Sequence, residues 1–299
     1  MENLILIGLC LCIGVLLQRL SSLPANAPMV LNQLILYVIL PAVALVNIPF
    51  IDWNLKLISL CLMPWLTFAL AYLLFNFLGK KFNWPSSLIG CLILTAGFGN
   101  TSFVGFPIIE ALFGKDALPY AVLVDQPGTF LICSTFGVLI ASQYSYGKMP
   151  LRNLIKKILT FPFFIAFFIA ILLGFFHLGP SGVVKDILGK LAAMLTPIAL
   201  ISVGLQLKWG HMWPERRNLS VGLGYKLIFC PLLIFCLYRF LNLPPLIFKV
   251  AVMEAAMAPM ITSSILAGTH NLEPRLASMM VGVGIPLSFL TLGFWYFVF

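Results

Sequence analysis

The chain has 299 residues, 61% of them hydrophobic and 9% charged, where an ordinary soluble domain is about 45–50% apolar and about 25% charged. So little charge cannot cover a soluble surface, which excludes soluble enzymes, nucleic-acid binders and disordered scaffolds and implies an integral membrane protein. The net charge of +9 then reads as basic cytoplasmic loops, because Lys and Arg accumulate on that side.

A transmembrane helix uses about 20 apolar residues, so ten spans occupy roughly 200 positions and leave no room for a separate soluble domain. Apolar runs and their punctuation predict ten helices within one membrane domain, 1–299, at about 3–20, 29–48, 55–78, 86–110, 118–142, 154–177, 183–207, 219–241, 245–267 and 275–298. The first run opens Met1-Glu2-Asn3 and carries its first cation, Arg19, on the far side. It therefore lacks the basic start of a signal peptide and is expected to stay as a helix with its N-terminus outside. That orientation puts Arg19, Lys80, Lys81, Lys148, Arg152, Lys156, Lys157, Lys208, Arg216, Arg217 and Arg275 inside. Only Lys56, Lys115, Lys185, Lys190, Arg239 and Lys249 fall outside, a positive-inside bias. Ten spans return the C-terminus to the non-cytoplasmic side as well.

The two halves share punctuation. Pro41 and Pro197 are 156 residues apart, and Pro119 and Pro274 are 155 apart. The near-constant offset suggests duplication, 1–142 and 154–299, joined by a polar cytoplasmic linker at 143–153. Five helices is an odd number, so the second copy enters from the opposite side and the repeats are inverted.

In span four, the segment Thr95 to Pro107 carries Gly97, Gly99 and Gly105, the polar run Asn100-Thr101-Ser102, and Pro107 near mid-membrane. Glycine loosens a helix and proline removes a donor, so a break is expected. Unpaired backbone at that depth is tolerated only in protein or beside a cavity; freed N–H groups could hold an anion and freed carbonyls a cation. Span nine carries Glu254 through Ser264 around Pro259. An offset of 155 sets Asn100 against Ala255 and Val104 against Pro259, which predicts two breaks at matching depth.

Charge inside a membrane is costly, by roughly 2.5–3.5 kcal/mol on insertion scales. Asp125, Lys226 and Glu254 fall inside predicted spans and are candidates for charge balance or ion coupling, with either carboxylate a possible counter-ion for Lys226. Glu110 lies near a span end and is expected to reach the interface. Gln126, Thr129 and Ser134 are expected to line span five. Trp53, Trp84, Trp209 and Trp213 sit near span ends and fit an interfacial belt. The seven cysteines fall in apolar runs without metal-ligand spacing and read as small core residues, and the three histidines form no zinc motif. No nucleophile elbow, zinc-protease motif or phosphate loop appears, so no enzyme is expected.

Gly97-Phe98-Gly99-Asn100-Thr101-Ser102-Phe103-Val104-Gly105-Phe106-Pro107, Glu254-Ala255-Ala256-Met257-Ala258-Pro259 and the turn Leu272 to Ser278 resemble the auxin efflux carrier family over nearly the whole chain. The resemblance implies ten helices as two inverted five-helix repeats, with broken helices four and nine crossing at the substrate site, as in bile-acid symporters and sodium/proton antiporters. It also implies a scaffold of spans 1, 2, 6 and 7, a transport domain of spans 3–5 and 8–10, and elevator-type alternating access. Members of the family usually carry an amide at the position of Glu254, so the acid is a departure that leaves coupling and substrate open. The short central linker is similar to prokaryotic permeases of the family, which are associated with small carboxylates such as malate and malonate.

The expected protein is thus a multi-pass transporter of the inner or plasma membrane that moves a small organic anion, probed by Asn100, Thr101, Ser102, Gly105, Pro107, Ala258, Pro259 and Thr262. No cofactor, metal or nucleic-acid partner is expected; lipid surrounds the protein, and sodium or proton coupling and a homodimer stay open. The alternatives are a sodium- or proton-coupled symporter and a ligand-sensing receptor without turnover.

Overall fold

The computed structural model describes residues 2–20, 23–24, 26–145, 160–207 and 215–299, and the regular structure among them is helical. In chain order the helical segments are α1 Glu2–Leu17, α2 Ala27–Phe50, α3 Leu55–Phe82, α4 Ser86–Gly97, α5 Thr101–Phe113, α6 Lys115–Tyr144, α7 Pro162–Phe175, α8 Gly182–Gln206 and α9 Arg216–Arg239. Then follow α10 Pro245–Ala255, α11 Ile261–Thr269 and α12 Pro274–Val298. Among the described residues, α2, α3, α6, α8, α9 and α12 are long and apolar enough to cross a membrane, whereas α4, α5 and α7 are apolar but shorter. The predicted spans at 86–110 and 245–267 are each divided in two. The start of the sixth predicted span, the linker beyond Ser145, Lys148, Arg152, Lys156, Lys157, Lys208, Trp209 and Trp213 lie outside the described residues.

Prolines leave a local signature on the long helices. Stretches with wider, π-type turns occupy Ile35–Ile39 ahead of Pro41, Asp125–Phe130 around Pro127, and Tyr225–Phe229 ahead of Pro231. A proline ring displaces the carbonyl one turn back and donates no N–H, so the hydrogen-bond ladder slips by a residue. Near Pro127 a side chain takes up a main-chain acceptor: the Trp65 indole N–H donates to the Pro127 carbonyl at 2.9 Å.

The chain gathers into two compact units. One holds the described residues within Met1–Asn54, Ser102–Val122 and Lys156–Leu207; the other holds those within Leu55–Thr101, Leu123–Ile155 and Lys208–Phe299.

In the first unit, α1 packs along the Leu195–Gln206 half of α8. Gly14 and Gly204 make this approach possible, because a methyl on Gly204 would meet the Leu11 carbonyl oxygen at 2.6 Å and the Gly14 Cα at 2.9 Å. Small residues at helix contacts are how membrane helices gain packing when lipid offers no hydrophobic contrast. The Gln18 side-chain amide donates to the Gly204 and Leu207 carbonyls at 2.7 and 2.9 Å, closing the end of α8. Glu110 is half-buried and accepts a bond from the Thr196 hydroxyl at 3.1 Å.

In the second unit, α4 is the centre. Its residues Cys91 to Gly97 are buried, enclosed by Phe68 and Phe75 of α3, Ile132 and Ile140 of α6, Leu223 of α9, and Leu276 and Met280 of α12. A helix that is apolar all round has no polar face to turn outward and so takes the middle of its unit. The cysteines divide by place: Cys10, Cys91, Cys133 and Cys230 are buried as expected, but Cys12 and Cys236 are exposed and Cys61 is half-buried. An apolar run fixes depth in a membrane, and the helix face decides whether a residue meets protein or lipid.

Candidate functional site

The α4 helix stops at Gly97 because Gly97-Phe98-Gly99 contributes little helix propensity and Phe98 turns to an extended conformation (φ −115°, ψ 135°). The α10 helix stops at Ala255, and the chain is extended again at Met260 (φ −70°, ψ 131°), after Pro259, which has no N–H to continue a ladder. The two extended segments pair antiparallel, Gly99 opposite Pro259. The Asn100 N–H donates to the Ala258 carbonyl at 2.7 Å, and the Met260 N–H donates to the Phe98 carbonyl at 3.1 Å. Proline is accommodated because the flanking residues supply both bonds. Each break therefore satisfies the other's backbone deep inside the unit.

Both breaks form, but not in the expected register. The end of α4 at Gly97 and of α10 at Ala255 equate Asn100 with Ala258, rather than with Ala255. Pro107 does not make the first break; it lies inside α5, directly after the wider, π-type stretch Thr101–Gly105, which takes up its missing N–H as at Pro41 and Pro231. The break belongs to the glycines, where the backbone is free to leave the helix.

Around this crossing the second unit collects buried polar groups. Asp125, 1% exposed, accepts the Thr101 hydroxyl on Oδ1 at 2.5 Å and the Gln126 side-chain amide on Oδ2 at 2.8 Å. Charge-assisted bonds of this kind are short and strong. The π-type turn at Tyr225–Phe229 delivers Lys226, 2% exposed, whose ammonium donates to the Ala255 carbonyl at 3.0 Å. Glu254, in the last turn of α10, is fully buried, and neither of its carboxyl oxygens has a hydrogen-bond partner. It interacts electrostatically with Asp125 and Lys226. Lys226 thus faces Glu254 electrostatically while its hydrogen bond goes to backbone.

The remaining expected residues divide. Asn100, Thr101, Ala258 and Pro259 lie at or beside the crossing and are buried, while Thr262 is exposed on α11. Ser102, Gly105 and Pro107 are buried and belong to the first unit. The sequence marks Gly99 only as a helix breaker and gives no sign that its lack of a side chain leaves room for the Lys226 ammonium, nor that the Tyr225 hydroxyl donates to the Thr67 carbonyl at 2.5 Å. Their signals were weak: one glycine among three, and a tyrosine adjacent to the buried lysine. Gln126 was placed on the lining of span five, and its role as a donor to Asp125 needed the fold.

Residues 1–296 match the family model described as membrane transport protein. Over 297 residues the chain is 25% identical to an uncharacterized transporter of Methanothermobacter thermautotrophicus, covering 98% of this chain and 96% of that one. Over 312 residues it is 23% identical to an uncharacterized transporter of Methanocaldococcus jannaschii, covering 99% and 97% respectively. With the match running almost end to end, the chain belongs to the membrane transport protein family, the auxin efflux carrier family whose motifs its two breaks resemble.

Proposed function

We propose that this transporter moves a small organic anion, a carboxylate of the malate, malonate or auxin-like kind, across the inner or plasma membrane by elevator-type alternating access. The observation that carries this is the crossing of two interrupted helices, Gly99 against Pro259, beside buried Asp125, Lys226 and Glu254. Interrupted helices at matching positions in two halves mark transporter binding sites, because helix ends there present N–H groups and carbonyls to a solute. In this reading each broken pair counts as one span, the ten spans form two inverted repeats, 1–142 and 154–299, and both termini lie on the non-cytoplasmic side. Asn100, Thr101 and the crossover backbone position the carboxylate; Ala258 and Pro259 shape the second strand.

A second reading, a sodium- or proton-coupled symporter, is favoured by one observation: Glu254 is a buried carboxyl with no hydrogen-bond donor, the kind of group that takes up a proton or a cation in a membrane interior. Flux of radiolabelled malate, malonate and indole-3-acetate into proteoliposomes, under imposed voltage, sodium and proton gradients, separates the two. Flux that follows voltage alone fits the anion carrier, and dependence on sodium or pH fits the symporter. Normal initial rates for both Asn100→Ala and Pro259→Ala at equal protein density would remove the crossover from the mechanism.

A further inference from the structure

Lys226 is placed where a bound cation would otherwise belong. Its ammonium lies 3.0 Å from the carbonyl of Ala255, the last residue of α10. The final carbonyls of a helix have no partner within it and carry its negative dipole end, so they attract positive charge. On the other side stands Gly99: a Cβ there would come within 2.9 Å of the ammonium nitrogen and 3.4 Å of its Cε. A glycine at this point of the crossing strand is thus what gives the ammonium its space. The nearby buried carboxyl of Glu254 has no hydrogen-bond donor on either oxygen and interacts electrostatically with Lys226. A helix C-terminus, the space that Gly99 leaves open and a donor-free carboxyl together are the surroundings of a monovalent cation, and a lysine reaches in to fill them.

We propose that Lys226 is a tethered cation that permanently occupies a monovalent-cation site at the helix crossing, so that transport needs no free cation and removal of the side chain opens that site to a primary ammonium ion. The part about transport rests on the transporter reading above; the existence of the site does not.

The test uses the full chain in detergent and in proteoliposomes, as wild type, Lys226→Ala and Lys226→Met. The alanine variant loses three methylenes and the ammonium, which n-propylammonium carries as one molecule. Thermal unfolding is followed in chloride salts of propylammonium, sodium and tetramethylammonium at equal ionic strength. The expected result is that propylammonium raises the unfolding midpoint of Lys226→Ala and leaves wild type and Lys226→Met unchanged, with tetramethylammonium inactive on all three, since a ligand stabilises only the state that binds it. If Lys226→Ala can be purified only in propylammonium, that too supports the site. The proposal is overturned if propylammonium acts equally on wild type and Lys226→Ala, if Lys226→Ala cannot be recovered even with propylammonium while Lys226→Met folds, or if wild-type malonate flux requires sodium. Absence of carboxylate flux with an intact propylammonium effect would refute the proposed function and leave the cation site standing.

Discussion

The two compact units are built from the same apolar composition and hold together differently. In the first, α1 and α8 meet backbone to backbone at Gly14 and Gly204, and side-chain bonds such as Gln18 to Gly204 and Ser202 to Asn32 join neutral amides and hydroxyls, while the half-buried Glu110 accepts from Thr196. In the second, an apolar core around α4 encloses Asp125, Lys226 and Glu254, all at 2% exposure or less. The difference separates structure from chemistry. Packing alone asks only for small residues and shape. Buried charge is costly wherever it is, so its concentration, among the described residues, in the second unit marks where the chain has been given something other than stability to do.

Four substitutions sharpen or break this comparison. Asp125→Ala should have the largest effect, because the Thr101 hydroxyl and the Gln126 amide both lose their acceptor; about 3 kcal/mol of stability and most of the uptake should go. Full uptake at equal protein density would sink the idea that this cluster serves transport. Gly204→Ala should cost about 2 kcal/mol by driving a methyl into the backbone of α1, seen as a lower unfolding midpoint in detergent. Uptake per folded molecule should be unchanged, and a loss there would give the first unit a chemical role that the comparison denies it. Thr101→Val keeps shape and removes one charge-assisted bond to Asp125; it should cost about 1.5 kcal/mol and slow initial uptake. An uptake rate equal to wild type would detach Thr101 from the site. Thr262→Ala, at an exposed position, should change stability by less than about 0.5 kcal/mol and leave uptake alone. A marked drop in uptake would return Thr262 to the binding residues.

Much of the second unit's site was legible in sequence because membrane interiors punish exceptions. Glycines, prolines and charges stand out against an apolar background, so the interruption of spans four and nine and the burial of Asp125, Lys226 and Glu254 followed from residue types. Which backbone atoms pair did not follow. Pro107 is a natural candidate for the first break, yet α5 runs through it with a π-type stretch at Thr101–Gly105, and the glycines ahead of Thr101 release the chain. The constant 155-residue offset came from prolines elsewhere, so it misplaced the register at the crossing. Thr262 shared a segment with the site and turned outward, since a one-residue change of position on a helix rotates a side chain by about 100°. The first unit was less legible, because Gly14 and Gly204 differ from other glycines only in what lies opposite them.

By itself the sequence determined that the chain lives in a membrane, where its helices are interrupted and which ionisable groups are buried, since each depends on hydrophobicity and local backbone chemistry along one stretch of chain. Only the tertiary structure decided that Gly99 pairs with Pro259, that Asp125 is held by Thr101 and Gln126, and that Lys226 caps Ala255 in the space left by Gly99. Those contacts join residues on different helices, and the direction in which a side chain meets its neighbour is set by packing, which no single segment encodes.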